Sequence, residues 1–208
     1  MGHHIIIAGI GPGNKKYILP AAIDAIQNAR VLVGGKRAIS QYASDAQTKI
    51  EIHSDIASVV SSIRRELEHE DVVIMVSGDP GYYSMLDVVR KEFSSNIISV
   101  IPGISSIQYA FSRLALPWHD AVLTSFHGRL PQGDKLIWRR GMILGTLTDG
   151  KYTSKTISRI LLNLGWPPDA KLYMCERLSY PDESIHFSTI REAAHDESIG
   201  HCVLIALG

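Results

Sequence analysis

Short apolar runs that stop at glycine or proline corners alternate with amphipathic stretches through the first half of the chain. Residues 5–10 read IIIAGI and break at Gly11-Pro12-Gly13-Asn14. Leu19-Pro20 predicts a helix start, with proline in the first turn and apolar positions at Ala22, Ile23, Ile26 and Ala29. Val31-Leu32-Val33 predicts a second strand, closed by Gly34-Gly35. Ser54 or Asp55 is suited to cap a helix whose apolar face is Ile56, Val59, Val60, Ile63 and Leu67. Residues 72–76, VVIMV, predict a buried strand that ends abruptly in Ser77-Gly78-Asp79-Pro80-Gly81. Tyr82 and Tyr83 follow, then a helix carrying Leu86, Val89 and Phe93. A fourth strand, residues 97–101, breaks at Pro102-Gly103 and leads into a helix with Ile107, Ala110, Phe111 and Leu114.

Four strand–helix alternations predict a parallel sheet covered on both faces. The loops at 9–14, 77–83 and 102–106 then lie at one edge, the carboxyl edge, where open α/β sheets bind ligands. Leu116-Pro117-Trp118-His119-Asp120 marks a boundary between an amino-terminal α/β domain, 1–116, and a carboxyl-terminal one, 117–208. The second half is richer in strands, at 121–126, 142–147, 171–175, 184–188 and 202–207. Helices at 154–164 and 190–195 interleave with them, so a mixed sheet is expected.

Composition narrows the function classes. Hydrophobic residues make up 45% and charged residues 20%, the profile of a globular domain. With 21 basic against 21 acidic side chains, no global field favours nucleic acid or a membrane surface. No apolar run approaches the ~20 residues of a membrane span, and a strand starts too early to leave room for a signal peptide. Cys175 and Cys202 lie far apart in sequence and match no metal spacing; a reduced, cytoplasmic setting is the expectation. The nine histidines include no HxxxH or HExxH pair, so no metal site is expected. The first glycine turn is not a dinucleotide fingerprint: Asn14 stands where a third glycine belongs, and Pro12 removes a backbone donor. No acidic ribose anchor ends the second strand near Val33 either, which disfavours a nicotinamide-dependent oxidoreductase, the rival of a different class.

Taken in order, GIGPGN, SGDPGYYS, VIPGISSIQYAFSRL and SFHGR resemble the tetrapyrrole methylases over essentially the whole chain. The resemblance implies an S-adenosylmethionine-dependent methyltransferase of tetrapyrrole methylase-like fold, two α/β domains with the cofactor in the cleft between them. SFHGR, LTDGKYTSKTISRILLNLG and CERLSYPDESI are most similar to the corrin-pathway branch that methylates C5 of cobalt-precorrin-7. The alternative is a methylase of the same fold acting on another tetrapyrrole position or on a protein or RNA target. By the resemblance, cofactor contacts fall on Ile10, Gly78, Asp79, Tyr82, Ser105, Ser106, Leu147 and His201, and substrate contacts on Pro12 and Arg129. Capping of the following helix is the less favoured alternative for Asp79, whereas Ser105 and Ser106 are equally placed to be N-caps only. Lys135, Arg139 and Arg140 read either as partners for substrate carboxylates or as a solvated helix face. Many relatives carry Asp where this chain has Asn14. No catalytic acid or base is named. The expected partners are a small-molecule tetrapyrrole, a second copy in a homodimer, and a separate C15-methylating, decarboxylating subunit, because the chain resembles a stand-alone C5 subunit. Neither nucleic acid nor membrane is expected.

Overall fold

The structure is a computed structural model describing residues 2–128, 130–196 and 199–208. It divides into two compact units, Met1–Ser105 and Ser106–Gly208.

The first unit contains β1 (Ile5–Gly9), α1 (Pro20–Asn28), β2 (Val31–Gly34), α2 (Lys36–Tyr42), β3 (Thr48–Glu51), α3 (Ile56–Glu66), β4 (Val72–Val76), α4 (Leu86–Glu92) and β5 (Ile98–Ile101). The strands form a five-stranded sheet in the order β3-β2-β4-β1-β5. Every neighbouring pair is parallel. β4 is buried along its whole length because helices cover both faces, which is why its sequence is apolar without alternation. The period of two shows in what each residue meets. Ile5, Ile7, Val72, Ile74 and Val76 pack with Val59 and Ile63 of α3 and Val89 of α4. Ala8, Leu32, Val73 and Met75 face Ala22 and Ile26 of α1 and Ala38 of α2. Truncating fully buried Ile74 to alanine would cost about 2–5 kcal/mol.

Local chemistry sets the helix starts. Pro20 occupies the first turn of α1. Asp55, not Ser54, caps α3, its side chain accepting the Ser58 N–H at 3.1 Å. β3 and α2 have no counterpart among the expected elements.

The second unit contains α5 (Ser106–Arg113), β6 (Val122–Ser125), β7 (Ile143–Leu147), α6 (Ser154–Asn163), β8 (Lys171–Glu176), β9 (Ser184–Thr189), α7 (Ile190–Ala193) and β10 (Cys202–Leu207). Its sheet runs β6-β7-β10-β8-β9. β6 and β7 are parallel and the other pairs antiparallel, giving a mixed sheet. Leu144, Leu172, Leu204 and Ala206 form a core with Ile157 and Leu161 of α6, Ile190 of α7 and Trp166. The Trp166 indole N–H, buried there, donates to the Leu136 carbonyl at 2.8 Å. α5 packs against β7 and β10: a Cβ on Gly145 would lie 2.9 Å from the Phe111 ring, so glycine makes room for it. Sequence periodicity divides the chain after this helix, whereas packing puts the helix with the second unit.

Candidate functional site

The three glycine loops of the first unit meet at the carboxyl edge of its sheet. β1 and β4 are adjacent, and the ladder extends past both: Ile10 N–H donates to the Val76 carbonyl at 2.9 Å. Gly11 and Gly78 then exchange both backbone bonds, at 3.2 and 2.8 Å. Both adopt positive φ, 73° and 71°, a region that glycine enters without strain. Gly9 and Gly103 bring the third loop in. A Cβ on Gly103 would lie 2.2 Å from the Gly78 carbonyl oxygen, and one on Gly9 2.7 Å from the Gly103 nitrogen. These close approaches are backbone against backbone. At Gly9 and Gly103 the missing side chain makes room for a neighbouring loop.

Asp79 braces this junction. Its Oδ1 accepts the Gly81 N–H at 2.7 Å, and its Oδ2 accepts the Gly103 N–H at 2.9 Å. It caps no helix, since Met85 stands at the N-cap of α4. Each carboxylate oxygen retains a second lone pair for another donor. Tyr82 N–H donates to the Asp79 carbonyl at 3.2 Å. Its half-buried phenol is pushed above the ordinary tyrosine pKa, by burial first and by neighbouring Tyr83 second, and so stays neutral. The Tyr82 and Tyr83 rings meet edge to face, centroids 4.8 Å apart. Buried Ser105 lies two residues beyond Gly103. Half-buried Pro12 sits in the first loop, and Asn14 accepts the Lys16 N–H at 3.0 Å, capping a short 3-10 turn. Ile10, Pro12, Gly78, Asp79, Tyr82 and Ser105 thus share the loop cluster of the first unit.

In the second unit, Leu147 ends β7 and His201 immediately precedes β10, and the register Leu147↔Val203 sets both at one edge. Thr148 fastens that edge. Its buried hydroxyl accepts the Cys202 N–H at 2.7 Å and lies against the Gly200 and Cys202 carbonyls. Exposed His201 approaches Gly150, its Nε2 4.0 Å from where a Gly150 Cβ would be. Asp149 accepts three backbone N–H bonds, from Gly128, Lys151 and Tyr152, at 2.8, 2.8 and 2.6 Å. The amides of Tyr152 and Gly128, aided by Lys151 and nearby His127, outweigh partial desolvation and hold its carboxyl below the usual range. Ser106 opens α5. Arg129 lies outside the described residues.

The structure separates other candidates from that edge. Lys135, Arg139 and Arg140 line a cavity of about 500 Å³ with Val122 and Met142, at the opposite ends of β6 and β7 from Ser125 and Leu147. Cys175 and Cys202, distant in sequence, stand on adjacent β8 and β10 one register position apart, hence on opposite faces. Among the described residues, no group of three or more His, Cys, Asp or Glu could hold a metal ion, and no helix is long and apolar enough to cross a membrane.

A parallel sheet with braced glycine loops at its carboxyl edge is the ligand-binding architecture of an α/β enzyme. The family model for tetrapyrrole (corrin/porphyrin) methylases matches residues 4–194, and the chain belongs to that family of S-adenosylmethionine-dependent methylases. A probable cobalt-precorrin-7 C(5)-methyltransferase of Methanocaldococcus jannaschii is 29% identical over 199 residues, 93% of this chain and 92% of that one. The cobalt-precorrin-7 C(5)-methyltransferase of Salmonella typhimurium is 27% identical over 201 residues, 97% and 98% of the two chains. The fold is shared with uroporphyrin-III C-methyltransferase from Thermus thermophilus, solved with S-adenosylhomocysteine: TM-score 0.76, 20% identity, 98% of this chain and 91% of that one.

The loop chemistry fits such a cofactor. Residues 10–14, 77–84 and 102–105 contain a single charged side chain, the anionic Asp79, beside neutral Tyr82, apolar Ile10 and backbone polar groups. Arg37 of α2 reaches the first residue of the middle loop, donating to Ser77 Oγ at 3.1 Å. A carboxylate in this loop set suits a sulfonium cation, and apolar and hydroxyl groups suit a nucleoside.

Proposed function

We propose that the chain methylates C5 of a corrin-ring precursor, converting cobalt-precorrin-7 to cobalt-precorrin-8 in cobalamin biosynthesis. One observation carries the ring position: both relatives described above bear that activity in their names and align over more than nine-tenths of each chain. Cofactor contacts are assigned to Ile10, Gly78, Asp79, Tyr82 and Ser105 of the first unit and to Ser106, Leu147 and His201 of the second. Pro12 and Arg129 are assigned to the substrate. The working setting is cytoplasmic, with a second copy of the chain and a separate C15-methylating subunit as partners.

S-adenosylmethionine supplies a methyl group already activated by the sulfonium charge. What remains for the chain is orientation and the exclusion of water. The Gly78 and Tyr82 N–H groups already donate to the Gly11 and Asp79 carbonyls, so the carbonyl oxygens of Gly78 and Tyr82 are what hold polar parts of the donor, and the braced Asp79 sets a negative charge in the same loop. Because Gly11, Gly78 and Gly103 are locked together, this surface is formed before any ligand arrives, and little ordering entropy is lost on binding. The Tyr82 hydroxyl, kept neutral by burial, serves as a donor or acceptor rather than as an anion.

Calorimetric titration tests the cofactor half of the assignment: S-adenosylhomocysteine binds and NADH does not. Binding of NADH alone would overturn it. Turnover with cobalt-precorrin-7 against cobalt-precorrin-4 tests the ring position, and preference for the latter would reassign it.

A further inference from the structure

We infer that Asp149 is a positioning residue, whose carboxylate latches the turn after β6 onto the turn after β7 and thereby shapes the ligand-facing edge of the second unit. The two strands are parallel neighbours that end together, at Ser125↔Leu147. Their ladder continues for one more bond, Phe126 N–H to the Leu147 carbonyl at 2.9 Å. Beyond that bond the hydrogen bonding between the two turns, among the described residues, passes through the Asp149 side chain. Asp149 Oδ2 accepts the Gly128 N–H at 2.8 Å, across a separation of 21 residues. Its Oδ1 accepts the Lys151 and Tyr152 N–H groups at 2.8 and 2.6 Å, closing the Asp149 turn on itself. The far turn is shaped to meet it: Gly128 has φ 69°, and the His127 N–H is held by Ser125 Oγ at 3.1 Å. The Phe126 and Tyr152 rings, centroids 5.6 Å apart, add an aromatic contact between the same two turns.

One oxygen therefore serves the Asp149 turn and the other serves the latch. An amide cannot do both: Asp149→Asn keeps one acceptor oxygen for Lys151 and Tyr152 but turns an NH2 toward the Gly128 N–H, donor against donor. The variant releases the 126–128 turn while leaving the sheet and its core untouched. That this edge, through Leu147 and His201, takes the cofactor rests on the function proposed above.

Two measurements keep the latch and that function apart. Hydrogen exchange at the Gly128 amide, followed by NMR on ligand-free protein, needs no cofactor. Exchange should accelerate about tenfold or more in Asp149→Asn, with the melting temperature close to the parent's. Equal Gly128 exchange in parent and variant overturns the latch, whatever the protein binds. S-adenosylhomocysteine titration then reads the consequence. Affinity should fall about tenfold in Asp149→Asn, with KM for S-adenosylmethionine rising and kcat at saturation nearly kept. Gly128→Ala, strained at positive φ, should give a similar loss. The double variant should lose no more than the worse single one, because both changes break one hydrogen bond. Full additivity, or an unchanged affinity in a well-folded Asp149→Asn that has lost Gly128 protection, overturns the positioning role. Failure of the parent itself to bind S-adenosylhomocysteine refutes the proposed function and leaves the exchange result to decide the latch.

Discussion

The Gly78 carbonyl oxygen faces Gly103 so closely that a Cβ there would lie 2.2 Å away, well inside van der Waals contact. Two loops that follow different strands are thus packed backbone to backbone, and Gly9 packs against Gly103 from a third.

Gly103→Ala should therefore force the junction apart. Overpacking of rigid backbone costs about 3 kcal/mol. At this chain length that corresponds to a melting temperature lower by roughly 6–12 °C, with S-adenosylhomocysteine affinity falling in parallel. A variant melting like the parent would show that the junction yields freely.

Asp79→Ala removes the acceptor for the Gly81 and Gly103 amides while leaving both core layers intact. The fold should persist with about 1–3 kcal/mol less stability, and S-adenosylhomocysteine affinity should fall about tenfold or more by calorimetry. Unchanged affinity would remove Asp79 from the cofactor assignment.

Cys175 and Cys202 are buried thiols pushed up to about 12. Burial is the main cause at both, joined at Cys175 by the nearby charges of Cys202 and Glu183, and at Cys202 partly offset by the Thr148 hydroxyl. Neither should react with a thiol reagent in the native protein at about pH 8, and both should react after unfolding. The unfolded thiols ionise near pH 9, before the folded ones. The stability they contribute is therefore complete below about pH 9 and is lost as pH rises toward about 12. Thermal melts across that range check the sign.

Glu183 closes the β8–β9 connection onto α5. Its Oε1 accepts from Arg113 Nε at 2.6 Å, and its Oε2 accepts the Ser179 N–H at 2.6 Å. Burial raises its pKa, but the Ser179 amide and Arg113 guanidinium together outweigh that and hold it below the usual glutamate value. Its contribution is therefore present above about pH 4.5 and lost as pH falls through the depressed value. Glu183→Gln should be less stable than the parent at neutral pH, and the gap should close in acid. A gap that stays constant with pH would contradict this.

Much of this architecture is legible in the residues because burial writes a strong pattern. β4 is five consecutive buried residues, and α3 and α6 each turn one apolar face inward. β3 is illegible for the opposite reason: as an edge strand it pairs on one side only, and three of its four residues are exposed. α2 buries only Ala38, too little for a helical stripe. The loops were legible as a set, since a parallel sheet brings them to one edge, but not their bracing. Asp79 finds Gly103 24 residues on, and Asp149 finds Gly128 21 residues back. No local spacing rule marks pairs made by tertiary proximity. The same blindness hid the neighbouring strands of Cys175 and Cys202.

Incubation with cobalt-precorrin-7 and S-adenosylmethionine carrying a carbon-13 methyl group, followed by NMR of the isolated product, tests the central assignment most directly. One new labelled methyl at C5 is the predicted result. A label at any other ring position, or none where S-adenosylhomocysteine binds normally, would contradict it.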